Sequence, residues 1–263
     1  MKTSKTEPRL LCYDLGEGVT AFSTTRHGGV SETNYASFNI NPYCGDSADH
    51  VARNRQLLAD KLGLPASHIV LPHQVHGIEH RAVAPELLDM SDAVRDKILD
   101  GVDMVTTSMT GVCIGVSTAD CIPVLLYDPV ARATAAIHAG WRGTLQRICQ
   151  RAVMAMQLHY GTTPDRLRAV VGPGISLANF EVGQEVYDQF LQAGFDLTET
   201  AEWHTKWHLD LPGINIRELI GCGVAPEHIH HADICTFDHA DDYFSARRLG
   251  IDSGRIYTGI LMR

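Results

Sequence analysis

Three separated segments of the chain carry side chains of the kind that bind a borderline metal: His76 in HQVHG, Cys121 in STADC and His138 in AIHAGWRG. A thiolate and two imidazoles suit zinc and copper, and three protein donors leave one coordination position open. An open position separates a catalytic zinc from a structural one, so convergence of these groups predicts a small metalloenzyme. Spacing alone leaves other readings standing. Cys121 reads equally as a small buried apolar residue. His138 reads equally as a core histidine with satisfied ring nitrogens. HQVHG offers two imidazoles, but Pro72 and Gly77 argue for a loop rather than a helical face, so only one of His73 and His76 is expected to face the site. His80 is a weaker third candidate. With fourteen histidines in the chain, metal-like spacings also arise by chance.

The neighbours of these donors suggest further roles. Asp120 is expected either to orient a ligand imidazole from behind or to cap a helix. Arg142, and Arg26 beside the Gly28-Gly29 turn, carry the guanidinium fork that suits phosphate oxygens; the alternative for each is a surface arginine. Arg247 and Arg248 share that ambiguity. Missing motifs narrow the field. There is no H-x-E with P-C-x-x-C, so a cytidine-deaminase-type zinc site is excluded. There is no H-E-x-x-H helix, G-x-S-x-G elbow or P-loop. The single H-x-H, His228 and His230, is too little for a conventional multicopper oxidase.

Short apolar or β-branched runs must position these residues. Asp103–Ser108, Val112–Ser117, Ile122–Tyr127 and Thr134–His138 read as strands. An antiparallel turn near residues 128–132 would bring Cys121 and His138 to the same end of one sheet. Ile69–Leu71 reads as a strand delivering HQVHG, and Arg166–Val171, Ile229–Phe237 and Ile256–Leu261 as further strands. A strand running into the Gly-Gly turn is expected ahead of residue 30. Helices are predicted over Asp49–Leu62, Gly143–Tyr160, Glu181–Gln192 and Asn215–Ile220 from apolar residues at helical spacing. Strands and helices alternate irregularly, which favours an α+β or mixed α/β class over a doubly wound parallel sheet.

At 263 residues the chain can bury a sizeable core, and it reads as one domain spanning 1–263, with no linker, repeat or low-complexity segment. Hydrophobic content of 44% with 20% charged residues is ordinary for a soluble globular protein. A net charge of −9 disfavours a nucleic-acid partner, although an anionic substrate met by local basic residues remains compatible. The opening MKTSKTEPRLLCYDLGEG lacks a signal-peptide core, and no stretch approaches the roughly 18 apolar residues of a membrane span. Seven cysteines without a C-x-x-C pair predict reduced thiols and a cytoplasmic protein.

The strings TTRHGGVS, HQVHG, TADCIPVLLYD, AIHAGWRGT, VGPGIS with FEVGQEV, and DICTF with YFSARR resemble the laccase-domain, or YfiH-like, family. They follow one order from residue 24 to the C-terminus, and TADC followed by HAGWRG is the most specific pair. The resemblance implies a single domain, with its core from about residue 18 to 263, of layered α/β/β/α architecture with mixed sheets. It implies a metal site of His76, Cys121 and His138, which selects His76 over His73. Zinc is the implied metal, with copper as the alternative. It further implies a purine nucleoside phosphorylase with adenosine deaminase and methylthioadenosine phosphorylase activity, acting on purine nucleosides and phosphate as a monomer or weak homodimer. Arg26, Arg142 and Asp120 are the expected substrate contacts. Family members were formerly described as polyphenol oxidases, so a copper-dependent phenol oxidase is the second expectation. A metal-free cysteine hydrolase, with Cys121 as nucleophile and His138 as base, is the third. Two departures stand out: Gly174 and Leu177-Ala178-Asn179 replace a cysteine-bearing stretch found in many relatives, and His73 adds a second imidazole close to His76 as an alternative ligand or supporting base.

Overall fold

The computed structural model describes residues 6–263; residues 1–5, part of the opening segment searched above for a leader, lie outside the described residues. Strands occupy Leu10–Tyr13 (β1), Val19–Thr24 (β2), Ile69–Val70 (β3), Glu79–Ala82 (β4) and Val102–Thr107 (β5). Cys113–Thr118 (β6), Ile122–Asp128 (β7), Ala133–Ala139 (β8) and Arg168–Val171 (β9) follow. Later come Glu181–Val182 (β10), Ala201–Trp203 (β11), Trp207–Leu209 (β12), Ile229–His231 (β13) and Ile256–Met262 (β14). The helices are Ala48–Leu62 (α1), Pro85–Asp89 (α2), Asp92–Ile98 (α3), Trp141–Leu145 (α4), Ile148–Tyr160 (α5), Gln184–Gln192 (α6), Leu211–Gly221 (α7) and Ala246–Leu249 (α8).

Two sheets pack face to face, in the orders β1-β2-β14-β6-β3 and β13-β9-β7-β8-β5-β4, beside a small sheet β10-β12-β11. Both large sheets are mixed: β3 runs parallel to β6, β13 to β9 and β4 to β5, and the other pairings are antiparallel. Their central strands are buried on both sides, which is why β5 to β8 read as unbroken apolar runs rather than alternating ones. Between the sheets Ile114, Val116 and Ile260 meet Val105, Leu125, Ala136 and Val170. Outside the first sheet, Leu58, Ala59 and Leu62 of α1 cover Phe22, Cys113 and Leu261. Outside the second, α5 and α7 lay Ala152, Met156, Ile214 and Leu219 against Val124, Leu126 and Ile137. Each fully buried aliphatic side chain contributes roughly 1.5–3 kcal/mol, so the three apolar layers set the architecture. The result is the expected α/β/β/α stack of mixed class.

Four element boundaries differ from expectation, each for a local reason. The helix predicted over 143–160 is broken: α4 ends at Leu145 and α5 restarts at Ile148, because Arg147 takes a left-handed φ of 60°. Its guanidinium is held by Glu218 and lies over the Phe195 ring, which stabilises the bend. At Glu181 the chain first forms β10 against β12, and helix α6 begins only after Gly183. Helix α7 starts earlier than residue 215, since the Asp210 carboxylate caps it by accepting from the Gly213 N–H. Beyond β13 the chain leaves the sheet, and residues 232–237 run as a loop past the site.

Candidate metal centre

Strand register brings the predicted donors together. β7 and β8 are antiparallel, with Pro123 opposite His138 and Ile122 opposite Ala139. Cys121, one residue before β7, therefore shares a face with Pro123 and His138, because side chains alternate with a period of two. β5 flanks β8 on the other side, and its pairing of Met104 with Ile137 brings Asp103 opposite His138. Val105, Leu125 and Ala136 sit in the layer between the sheets, so Asp103 and His138 face the end of that layer in one transverse row, with Cys121 on the same face two residues before Pro123. Ala119 to Cys121 is the crossover from β6 in one sheet to β7 in the other. His76 reaches the row from the loop after β3.

The donor atoms of His76, Cys121 and His138 all lie within 4.8 Å of one another. The two imidazole rings meet edge to face, with centroids 4.8 Å apart. Exposure grades across the set: His138 is buried, Cys121 partly covered and His76 exposed, so the cluster faces solvent on one side. His138 Nδ1 lies 2.7 Å from Asp103 Oδ1, which directs the other ring nitrogen, Nε2, toward the cluster. Asp103, fully buried, also accepts from the backbone N–H groups of Val75, His76 and Gly77. One carboxylate thus fixes a ligand ring and the loop that carries a second ligand. His76 and Asp120 both adopt left-handed backbone, with φ of 63° and 82°. Non-glycine residues hold such conformations only where the surroundings dictate them, and these two bracket the site. Gly140 clears the space: a Cβ there would lie 3.0 Å from His76 Cδ2 and 3.1 Å from Cys121 Sγ.

The electrostatics favour a thiolate. Burial alone would raise the Cys121 thiol, but the His138 imidazole, aided by His76, outweighs it and brings the pKa down to about 6. Burial opposes charge on His138, yet the Cys121 thiolate and the Asp103 carboxylate lift it to about 9. Asp103 is held below the usual carboxylate range: burial opposes ionisation, and the His138 hydrogen bond and the Gly77 and Val75 N–H groups overcome it. A pre-formed soft thiolate beside two imidazoles, with a glycine leaving room between them, fits zinc or copper.

Other expected residues lie elsewhere or act differently. His73 bonds Asp100 at 2.6 Å and packs against Tyr43, outside the donor cluster. His80 Nε2 pairs with Thr106 Oγ1, and burial with nearby His159 lowers its pKa to about 4. The expectation that Asp120 orients an imidazole is corrected: its carboxylate accepts from Thr236 Oγ1 and from the Arg247 N–H, both at 2.7 Å. It ties the 236 and 247 segments to the crossover, while Asp103 does the orienting. Arg26 donates to the carbonyls of Ala36 and Ala240 and lies over Phe244. Arg142 is exposed, its guanidinium 4.3 Å above the Trp141 ring, next to the metal-site strand. Asp103 and Gly140 went unrecognised in the sequence. A lone carboxylate opening the apolar strand VDMVTT was the available clue to the first. The second lay inside AIHAGWRG, where nothing local distinguishes a clearance glycine.

A family profile described as multi-copper polyphenol oxidoreductase laccase matches residues 20–263. The chain belongs to this laccase family. Among its relatives, a protein of Bacteroides thetaiotaomicron named purine nucleoside phosphorylase is 44% identical over 262 residues, covering 97% of both chains. A protein named adenosine deaminase RL5, from an unknown prokaryotic organism, is 39% identical over 247 residues, covering 93% of this chain and 94% of its own. The crystal structure of a Bacillus licheniformis hypothetical protein, YfiH, superposes with a TM-score of 0.90 at 28% identity, covering 97% of each chain. The mixed α/β layering of the laccase-family chain is therefore that of a solved relative.

Proposed function

We propose that this protein is a zinc-dependent purine nucleoside phosphorylase that also deaminates adenosine. The observation that carries the reading is the convergence of His76, Cys121 and His138 around one solvent-facing point, with Asp103 orienting His138. The names of two relatives, each matched over nearly the whole chain, direct that metal chemistry toward purine nucleosides. Zinc held there would supply Lewis acidity at an open fourth position.

The chain's own groups have definable tasks. In phosphorolysis a phosphate oxygen bonds to C1′ as the C1′–N9 bond breaks, and the purine leaves with a proton. In deamination, water adds at C6 and ammonia departs. Asp103 keeps a proton on His138 Nδ1 through both reactions, so Nε2 stays directed at the cluster. The exposed Arg142 on Trp141 is offered to ribose or phosphate oxygens at the mouth, while Arg26 and Asp120 hold the surrounding loops. Purified protein with adenosine and phosphate is expected to yield adenine, ribose 1-phosphate and some inosine. Cys121→Ala should abolish both activities. Retention of both would overturn the assignment.

A second reading has its own geometric support. Asp103, His138 and Cys121 also form an acid–imidazole–thiolate series, the arrangement of a cysteine hydrolase. Metal content separates the two: activity that persists in metal-stripped protein and vanishes on Cys121 alkylation favours the hydrolase. A copper phenol oxidase, which the family's description evokes, requires phenol oxidation that tracks added copper.

A further inference from the structure

Outside the metal centre, a cavity of about 540 Å³ lies between α1 and α3 along the free edge of β3. That volume suits a small ligand. Arg55 of α1 lies in it, partly buried, and burial lowers its pKa from the ordinary value. A charge withdrawn from water is normally paired or fully hydrogen-bonded. Arg55 is not paired. Its Nη2 donates to the Ile69 carbonyl at 2.8 Å; among the described residues it makes no other hydrogen bond and no ion pair. The second guanidinium of the groove, Arg95, is already committed to Asp92 and the Ser67 carbonyl. The guanidinium fork matches two oxygens of a tetrahedral oxyanion bidentately, so an anion is the partner that the uncommitted donors of Arg55 fit.

Two neighbours define the rest of the ligand. Tyr43, 39% exposed, lines the groove, its ring 4.3 Å from that of His73, on the same loop as His76. Asp96 lines the same cavity and acts on Arg55 electrostatically without touching it, which offers an acceptor for a hydroxyl group. A cation beside an acceptor and an aromatic rim is the chemistry of a phosphate joined to a sugar. We propose that this groove binds a phosphate group through Arg55. The site deepens the phosphorylase reading and rests on it for the source of the anion: inorganic phosphate as co-substrate, or the phosphate of the sugar product.

The test is direct binding, which does not depend on turnover. Calorimetric titration of the full chain with inorganic phosphate, and separately with ribose 1-phosphate, is compared between wild type and Arg55→Met. Saturable binding of either probe that weakens at least tenfold in Arg55→Met supports the site, and the tighter probe identifies the source. A cooperative thermal transition in Arg55→Met checks that the variant is folded, and phosphate should raise the Tm of wild type but not that of the variant. Equal binding by Arg55→Met, no binding of either probe by wild type, or loss of binding in Arg142→Gln alone would each overturn the proposal. Binding through Arg55 in a protein that performs no phosphorolysis would leave the anion site standing and remove the phosphorylase reading.

Discussion

Replacing Gly140 with alanine adds one methyl group to the metal centre and nothing else. Its φ and ψ, −70° and 168°, are open to any residue, so alanine introduces no backbone strain. The new Cβ would stand 3.0 Å from His76 Cδ2 and 3.1 Å from Cys121 Sγ, against ordinary contacts of about 3.5–4.0 Å. Relief requires both donors to give by a few tenths of an ångström. Crowding of this kind costs about 1–3 kcal/mol, which is roughly 5- to 150-fold in an equilibrium constant or rate. We expect metal affinity to fall about 10- to 100-fold and kcat/KM by a similar factor, with the fold intact. Competition with a zinc-sensitive chelator reports the affinity, and circular dichroism reports the fold. Gly221→Ala serves as the control: no atom lies within 4 Å of its added Cβ, and it sits at the end of helix α7. That variant should keep full activity and gain up to about 1 kcal/mol. Wild-type metal affinity in Gly140→Ala would refute the clearance argument.

Further consequences follow from the buried carboxylate and the thiolate. Asp103→Asn places an NH₂ among donors, since His138 Nδ1 and three backbone N–H groups all address the carboxylate. It should weaken metal binding about 10- to 100-fold and destabilise the protein by about 3 kcal/mol, read by chelator competition and urea titration. In metal-stripped protein, alkylation of Cys121 should be half-maximal near pH 6, followed by mass spectrometry of its peptide. The thiolate is the reactive form, so the rate falls below that pH and levels off above it; a midpoint near 9 would disprove the His138 coupling. Metal binding must displace the proton that holds His138 near pKa 9, so affinity should rise with pH between about 6 and 9. A flat profile over that range would show that His138 is not a ligand.

Much of this protein is legible along the chain. Apolar runs at residues 102–107, 113–118, 122–128 and 133–139 mark strands because doubly covered sheets demand unbroken burial. Irregular alternation of strands and helices favours the mixed α/β class, and the donor types at 76, 121 and 138 admit metal chemistry, which the family resemblance selects. Where the chain turns on a single residue, periodicity fails: Arg147, with its left-handed φ, splits a stretch whose apolar spacing reads as one helix.

The tertiary structure decided what depends on partners distant in sequence. Asp120 and Asp103 both look suited to orient an imidazole, and the nearer one in sequence to Cys121 is the wrong one. Register across β5, β8 and β7 puts Asp103 against His138, while the crossover turns Asp120 toward Thr236 and the Arg247 backbone. Selection between His73 and His76 by geometry likewise required Asp100 and Asp103 to claim different parts of one loop. Residue type limits what a side chain can do, but strand pairing sets which groups lie within a few ångströms, and hydrogen bonds and coordination vanish beyond that range.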